Sequence, residues 1–324
     1  MTKIGIPRGL LFYRYFPIWE TFFENLEMDV VLSHQATETV ITQGSKRVPG
    51  DLCLPVKIYF GHIASIKESV DFLFIPRYIS IKLDAYMCPK LIGLPDMVLS
   101  AFGSLPPLID FPIHCKAQGM EAEKIFFLET GRFFSKKNNQ VEEAYRRGLE
   151  RQGRFQALIR KGFSFEESLD LSRSQEIKEK ARENGEMKVG LIGRPYYLHD
   201  PFLRKSVVEQ VVSRGYQLLT SEVLTDQEVQ RGIAKLRKRI YWSFGEEMVG
   251  AAMEFAQEES IRGIIHLASF GCGQDSFNYE IVKHYTGEKV PVLSFIFDEH
   301  FATGGFLTRI EAFLEMIGRR VNRS

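Results

Sequence analysis

The feature that most constrains the fold is a pattern of strands and helices that occurs twice along the chain. The N-terminal stretch "TKIGIPRGLLFYRYFPIWETFFENLEMDVVLS" predicts a strand, a loop, a helix and a strand, and "MKVGLIGRPYYLHDPFLRKSVVEQVVSRGYQLLTS" near the middle predicts the same order. Both second strands end in serine. The alignment of the two stretches pairs three residues: Lys3 with Lys188, Gly5 with Gly190 and Arg8 with Arg194. We interpret this pattern as a remote internal duplication.

Each half continues with two short apolar runs. Residues 70–78 and 261–270 are the first pair, and residues 106–114 and 290–300 are the second. Continuous apolar runs of this length are typical of strands buried in a parallel sheet. Their alternation with amphipathic helices indicates βαβ units. The sequence therefore predicts an α/β protein with two parallel-sheet domains and a cleft between them.

A highly charged segment separates the two halves and contains no strand pattern. We predict a first α/β domain over residues 1–121, a helical connector over 122–185 and a second α/β domain over 186–324. Six residues of the connector share one helical face: Val141, Tyr145, Gly148, Gln152, Phe155 and Ile159. Such a face packs against a domain. A solvated helical spacer is the preferred interpretation, and a partner-binding helix is the alternative.

The composition is that of a soluble globular protein. Of the 324 residues, 44% are apolar and 26% are charged, and the formal net charge of +1 does not indicate nucleic-acid binding. The N-terminus enters a strand-like run directly, without the layout of a signal peptide. No apolar stretch reaches the roughly 18 residues that a membrane span needs. We therefore expect a cytoplasmic protein that binds neither nucleic acid nor a membrane.

The chain has four cysteines, at positions 53, 88, 115 and 272. No pair has C-x-x-C spacing, which excludes a zinc knuckle and a compact ferredoxin motif. A disulfide framework is not expected in a cytosolic chain of this size. Three of the cysteines precede predicted helices: Cys53, Cys88 and Cys272. Cys115 instead follows the last strand of the first half.

The place of these three cysteines favours a functional site. In open α/β sheets, ligands bind outside the carboxyl ends of the strands. Helix N-termini also favour thiolates, because their unpaired N–H groups carry partial positive charge. With the two halves facing each other, Cys53 and Cys88 would approach a shared group from one side and Cys272 from the other. The glycines beside Cys272 allow its backbone to lie close to a bulky group such as a metal–sulfur cluster.

Other interpretations of the cysteines stay open. Free cysteines are often buried and act as small apolar side chains. A redox dithiol or a single nucleophilic thiol would also use the environment of a helix N-terminus.

Four motifs and both ends of the chain resemble one protein family. The motifs "CLPVK", "CPKLIGLPD", "GRPYYLHDP" and "FGCGQDS" resemble the iron–sulfur component of the 2-hydroxyacyl-CoA dehydratase and benzoyl-CoA reductase family. The opening "IGIPRGLLFYRYFPIWETFFENL" and the ending "TGGFLTRIEAFLEMI" are similar to its branch related to CoA-substrate-specific enzyme activases. The resemblance spans nearly the whole chain apart from the connector.

The resemblance implies two flavodoxin-like domains and a [4Fe–4S] cluster held by Cys53, Cys88 and Cys272, with a larger fused cluster still open. Cys115 is either a fourth ligand or a buried bystander, and we prefer the second. The family also implies a separate ATP-hydrolysing iron–sulfur activator that delivers low-potential electrons, and a homologous dehydratase-type subunit as a further partner. In true dehydratases, one electron converts an acyl-CoA thioester to a ketyl radical, which permits loss of the β-hydroxyl group.

Strand ends supply candidate side chains around the cluster. These are Arg8, Arg77, Arg194 and Tyr196. The family motif has a histidine where this chain has Tyr197, and His199 is displaced along the loop, so a proton-transfer role does not carry over. No P-loop is present, which assigns ATP use to a partner.

We predict a component of a 2-hydroxyacyl-CoA dehydratase-like lyase or an ATP-dependent reductase, acting on an acyl-CoA. One alternative is a non-catalytic electron-relay or assembly subunit that bears the cluster. The other is a metal-free two-domain protein that binds a small ligand.

Overall fold

The computed structural model describes residues 1–174, 187–299 and 303–321, which form two compact units. Unit 1 comprises residues 1–158, 165–178 and 241–243, and unit 2 comprises residues 159–164, 179–240 and 244–324. The predicted boundaries at 121/122 and 185/186 stay predictions, and residues 175–185 of the predicted connector lie outside the described residues. The predicted cleft between the two domains also stays a prediction.

Unit 1 is built around a parallel sheet. Its strands are β1 (Lys3–Ile6), β2 (Asp29–Leu32), β3 (Phe72–Phe74), β4 (Arg77–Ser80), β5 (Leu108–Ile109) and β6 (Pro112–His114). Four of them form a sheet in the order β2-β1-β3-β5, and β4 pairs with β6 in a separate two-stranded parallel sheet. In the main sheet, Ile4 lies opposite both Val30 and Phe72.

Each of the two later strands predicted in this half is interrupted. The predicted strand at residues 70–78 becomes β3 and β4, and the one at 106–114 becomes β5 and β6. The breaks fall next to Pro76 and Pro112. Because proline has no N–H, it removes a ladder hydrogen bond and interrupts a strand.

Unit 2 repeats the sheet of unit 1. Its strands are β7 (Lys188–Ile192), β8 (Gln217–Thr220), β9 (Ile261–Ser269) and β10 (Val292–Phe297), in the order β10-β9-β7-β8 and all parallel. When the four strands of each sheet are numbered by themselves in chain order, both sheets have the order 2-1-3-4. This is the start of the flavodoxin-like order. The prediction of two flavodoxin-like parallel-sheet domains is confirmed, and the shared order supports the duplication.

Helices cover the sheets and fill the middle of the chain. In chain order they are α1 (Phe12–Asn25), α2 (Glu38–Ser45), α3 (Leu54–Ile66), α4 (Pro89–Ile92), α5 (Leu94–Ala101), α6 (Cys115–Gln118), α7 (Ala122–Phe133), α8 (Asn138–Arg160), α9 (Phe165–Leu171), α10 (Pro195–His199), α11 (Pro201–Ser213), α12 (Asp226–Ile233), α13 (Ser243–Phe255), α14 (Gly273–Thr286) and α15 (Thr303–Val321). In the parts of the chain described, no helix combines the length and apolarity needed to cross a membrane.

The core of unit 1 is rich in aromatic side chains. Phe16, Phe22 and Phe23 of α1 are fully buried. Phe23 meets Phe74 of β3 edge-on, and Phe22 packs against Phe127 of α7. Burial of each such side chain contributes about 1.5–3 kcal/mol. Helices of the predicted connector therefore help to close the core of the first sheet.

Helix α8 packs one face against α1. Its residues Val141, Gln152 and Phe155 are buried. Pro17 lies inside α1, where its missing N–H and its ring disturb the helical hydrogen bonds. The Gln152 amide bonds to the backbone on both sides of this proline: Nε2 donates to the Arg14 carbonyl at 2.7 Å, and Oε1 accepts from the Ile18 N–H at 3.4 Å.

Each unit contains one pair of helices that cross in very close contact at glycines. In unit 1, a Cβ on Gly44 of α2 would lie 1.7 Å from the Lys57 carbonyl oxygen of α3. In unit 2, a Cβ on Gly232 of α12 would lie 2.3 Å from the Gly250 carbonyl oxygen of α13. Along the chain, each pair of helices follows the second strand of its sheet and precedes the third. The duplication therefore extends to these helices.

Unit 1 also includes three residues from far along the chain. Residues 241–243 run parallel to Tyr86, whose N–H donates to the Tyr241 carbonyl at 3.0 Å. The Ser243 N–H donates to the Tyr86 carbonyl at 3.3 Å. Unit 1 is therefore discontinuous in sequence.

Candidate metal centre at the carboxyl ends of the strands

The candidate site of unit 2 lies where strand order reverses. Strands β7 and β9 are neighbours, with β8 and β10 outside them. The chain leaves β7 through Gly193 and Arg194, and it leaves β9 through Phe270, Gly271 and Cys272. In open α/β sheets, the crevice outside these two carboxyl ends is the usual ligand site.

A tight turn presents Cys272 at this edge. Gly271 has a φ of 74°, a conformation that disfavours residues with a Cβ. The Cys272 N–H donates to the Ser269 carbonyl at 3.1 Å, and the Cys272 carbonyl accepts from the Ser276 N–H at 3.1 Å. Cys272 is therefore the N-cap of α14, as the sequence predicts. A Cβ on Gly273 would meet no atom within 4 Å, so there is open space at the residue that follows Cys272.

Arg194 joins the two strand ends. Its Nε donates to Asp275 Oδ1 at 2.9 Å, and its Nη2 donates to Gln274 Oε1 at 2.7 Å. The same Nη2 lies 3.7 Å from Cys272 Sγ. The ion pair is buried, because the Arg194 and Asp275 side chains are 3% and 1% exposed. Of the predicted site residues, the structure brings Arg194 and Cys272 into contact.

The surroundings of Cys272 oppose a free thiolate. Burial and the Asp275 carboxylate raise the pKa of the Cys272 thiol to about 12, although Arg194 acts in the opposite direction. Without an electrophile, the thiol therefore stays protonated at neutral pH. Coordination to a metal deprotonates a thiol outright, so this environment suits a ligand better than an exposed nucleophile.

Behind the site, unit 2 buries several polar side chains. His266 of β9 stacks on Tyr279 of α14, with ring centroids 5.5 Å apart, and shares a hydrogen bond of 3.0 Å with Ser294. Burial lowers the pKa of His266 to about 4, so it is neutral at pH 7. Asn278 is fully buried, and its amide has no hydrogen-bond partner among the described residues.

Two further cysteines cap helices in unit 1. Cys53 is the buried N-cap of α3, with Pro55 in the first turn, and Cys88 is the half-buried N-cap of α4. Both predicted positions are confirmed. Lys57, one turn along α3 from Cys53, is buried, and its Nζ donates to the Gly50 carbonyl at 2.8 Å.

Cys115 has a different environment. It follows β6 as predicted and is the first residue of α6. Burial and the Glu123 carboxylate raise the pKa of its thiol. Glu123 is itself half-buried, and desolvation raises the pKa of its carboxyl group. Burial beside a carboxyl group is common to Cys115 and Cys272, so the interpretation of Cys115 as a bystander stays a prediction.

Two further predicted residues, Arg77 and Tyr196, make contacts within their own units. Arg77 forms ion pairs with Asp96 and with Asp110. These bonds raise the pKa of Arg77. Tyr196 is buried, with its ring centroid 4.9 Å from that of Tyr197.

Arg8 follows β1, the counterpart of β7. Its N–H donates to Ser33 Oγ at 2.9 Å, and its buried Nε has no hydrogen-bond partner in the described parts of the chain. Among the described residues, Arg8 has no carboxylate partner like the one that holds its counterpart, Arg194.

The "GRPYYLHDP" motif has structural roles in unit 2. Asp200 is the N-cap of α11, and its Oδ1 accepts from the Phe202 N–H at 2.9 Å. Pro201 occupies the first helical position, where proline costs no hydrogen bond. His199 is buried and bonds through Nε2 to Glu222, which follows β8.

The residues that sequence analysis missed are Gln274, Asp275 and Glu222. Asp275 was visible only as the third residue after Cys272, a frequent position for acidic residues at a helix start. Its pairing with Arg194, 81 residues away, has no local signal.

No three His, Cys, Asp or Glu side chains form a group able to hold a metal ion within residues 1–174, 187–299 and 303–321. Cys53 and Cys88 belong to unit 1 and Cys272 to unit 2. A cluster held by all three would therefore need ligands from both units. In donor chemistry the residues fit such a group: three cysteines cap helices, and open space adjoins Cys272 at Gly273.

Two family models match the chain. The CoA enzyme activase uncharacterised domain (DUF2229) matches residues 3–224, which is more than half of the chain. The 2-hydroxyglutaryl-CoA dehydratase, D-component, matches residues 163–317. No curated protein matches the chain significantly. Cys53 and Cys88 fall in the first match and Cys272 in the second.

Proposed function

The chain belongs to the family of the CoA enzyme activase uncharacterised domain and is related to 2-hydroxyacyl-CoA dehydratase components, and on that premise we propose that it binds a [4Fe–4S] cluster. The cluster would accept low-potential electrons from an ATP-hydrolysing activator. The electrons would serve a reduction or a radical dehydration, with an acyl-CoA as the substrate class. We place the protein in the cytoplasm.

One observation carries the proposal. Cys272 caps α14 at the carboxyl end of β9, with the Arg194 guanidinium 3.7 Å from its sulfur and open space at Gly273. Cation, N–H groups and space are what an anionic iron–sulfur group needs from its surroundings. The two capping cysteines of unit 1 supply the same ligand type.

The ligands would be Cys53, Cys88 and Cys272. Three protein ligands leave one iron with an open position, and an open position distinguishes a catalytic metal site from a structural one. When bound, the cluster would supply single electrons at low potential. The protein would contribute the ligand geometry and the guanidinium of Arg194.

The test is the iron and acid-labile sulfide content after anaerobic purification. We expect about four of each per chain in the wild type, as for one [4Fe–4S] cluster. Cys272→Ser should lose most of both. Cys115→Ser is the matched control, because it removes a buried thiol that we do not assign as a ligand, and it should keep the wild-type content.

Two results would overturn the proposal. The first is a wild-type protein that stays colourless and iron-free after anaerobic reconstitution. The second is equal iron content in the Cys272→Ser and Cys115→Ser proteins. The first would favour a small-ligand-binding protein without metal, and the second would show that Cys272 contributes no more to iron binding than Cys115.

A second experiment addresses the partner. In the loaded protein, reduction of the cluster by a family activator should require ATP hydrolysis. Reduction at the same rate without ATP would instead indicate an ordinary electron relay, the non-catalytic alternative.

A further inference from the structure

We propose that Asp275 is a positioning residue: its carboxylate holds the Arg194 guanidinium so that Nη2 donates to the sulfur of Cys272. This inference rests on the proposed function, because it assigns Asp275 a role in setting the reduction potential of the bound cluster.

The donor geometry of Arg194 supports the assignment. A guanidinium offers its N–H groups in a rigid planar fork, so a bond to one nitrogen fixes the direction of the others. Here Nε is bonded to Asp275 at 2.9 Å and one hydrogen of Nη2 is directed to Gln274 at 2.7 Å. The second Nη2 hydrogen can be donated to Cys272 Sγ, which lies 3.7 Å from Nη2.

A simple capping role does not account for Asp275. An acidic residue in the first turn of a helix normally interacts with the helix's own N–H groups at the surface. Asp275 is instead 1% exposed and bonded to an arginine at the end of the neighbouring strand. The buried pair ties the carboxyl ends of β7 and β9 together at the point where Cys272 is presented.

The effect on the cluster has a definite sign. A cationic donor at a cluster ligand stabilises the more negative, reduced form, so it raises the reduction potential. Loss of Arg194 should lower the potential. Removing the negative charge of Asp275, with Arg194 still in place, would raise the reduction potential. Movement of Arg194 away from the Cys272 sulfur would lower the reduction potential. The direction of the shift in Asp275→Asn therefore separates the two roles.

The experiment is a double-mutant cycle on the loaded protein, read by spectroelectrochemical titration of the cluster. The variants are Arg194→Gln, Asp275→Asn and the double variant. If Asp275 acts through Arg194, all three potentials fall by a similar amount. Asp226→Asn, which removes an exposed carboxylate from the first turn of α12, is the control and should leave the potential unchanged.

A rise in potential in Asp275→Asn, with the double variant close to wild type, would overturn the inference. If Asp275→Asn does not fold, the double variant decides, because it leaves no unpaired buried charge. Its potential should then equal that of Arg194→Gln, and a value nearer to wild type counts against the inference. A wild-type protein without iron would defeat the proposed function itself, whereas independent shifts in a loaded protein defeat only the role of Asp275.

Discussion

The first long helix of each unit, α1 in unit 1 and α11 in unit 2, connects the first strand of its sheet to the second. Pro17 lies in the interior of α1, and the Gln152 side chain of α8 bonds to the backbone on both sides of it. In α11, Pro201 stands at the first helical position behind the Asp200 cap. Helix α1 therefore receives hydrogen bonds to its backbone from a side chain of α8. In α11, the proline stands where its missing N–H costs no hydrogen bond.

This difference explains why part of the predicted connector belongs to unit 1. Unit 1 includes residues 122–158, and α8 supplies hydrogen bonds that α1 lacks. The remainder of the duplication is more symmetrical, since both sheets have the same strand order and both contain a glycine crossing. The two halves thus kept a common framework and diverged in the helices packed on it.

The largest expected effect is at the glycine crossings. Gly44→Ala should destabilise the protein by about 3 kcal/mol or more, because backbone atoms of α3 would have to move to admit the Cβ. Gly232→Ala should cost about 2 kcal/mol, since the approach in unit 2 is less close. The measurement is the free energy of unfolding in urea.

Gly153→Ala is the control for this pair. Gly153 lies in α8 with no atom within 4 Å of an added Cβ. Alanine there should stabilise the protein by about 0.5–1 kcal/mol through helix propensity. Equal stability of the Gly44→Ala and Gly153→Ala proteins would contradict the close crossing.

An effect smaller than that of Gly44→Ala is expected where α1 and α8 meet. Gln152→Met keeps the side-chain length but removes bonds to two backbone groups of α1. The loss should be about 2 kcal/mol, because a buried polar group without its partner costs roughly 1–3 kcal/mol. Gln156→Met in the same helix should change the free energy of unfolding by less than about 0.5 kcal/mol. A matching loss at both positions would mean that α1 does not depend on Gln152.

The last effect develops only as the pH falls below about 6.5. Burial and nearby Arg8 lower the pKa of His62 in α3 to about 3. In the unfolded chain this pKa is about 6.5, so below that pH the unfolded state binds a proton that the folded state does not. The stability that the neutral form of His62 contributes to the folded state is therefore fully present above about pH 6.5. That part of the free energy of unfolding declines as the pH falls towards 3. Between pH 7 and 5 it should decline by about 2 kcal/mol.

His62→Met should remove this decline. Its free energy of unfolding relative to wild type should rise by about 2 kcal/mol from pH 7 to 5. His34→Met, at an exposed position, is the control and should follow the wild-type curve. If the His62→Met and wild-type curves run parallel over this range, His62 titrates alike in both states.

Much of the framework could be predicted because it depends on local patterns. Apolar runs marked the strands, and the positions of Cys53, Cys88 and Cys272 before helices followed from neighbouring glycine and proline. The interruption at Pro76 also had a local signal, which the apolar pattern of residues 70–78 outweighed. A proline inside an apolar run disfavours one continuous strand, because it cannot donate to the sheet's hydrogen bonds.

The contacts that define the candidate site had no such signal. Arg194 was predicted from its place after a strand, but its bonds to Gln274 and Asp275 join distant parts of the chain. The same holds for Gln152 and Ile18, which are 134 residues apart. Periodicity describes which face of a helix is buried, not which polar group it meets.

The pairing of residues 241–243 with Tyr86 limits how this protein can be dissected. A fragment cut at the end of the predicted connector would lack these residues, although they belong to unit 1. The Tyr86 N–H and carbonyl would lose their partners two residues before Cys88. The two copies of the duplication are therefore no longer separable at a single cut, and a split version of the chain must return residues 241–243 to its first piece.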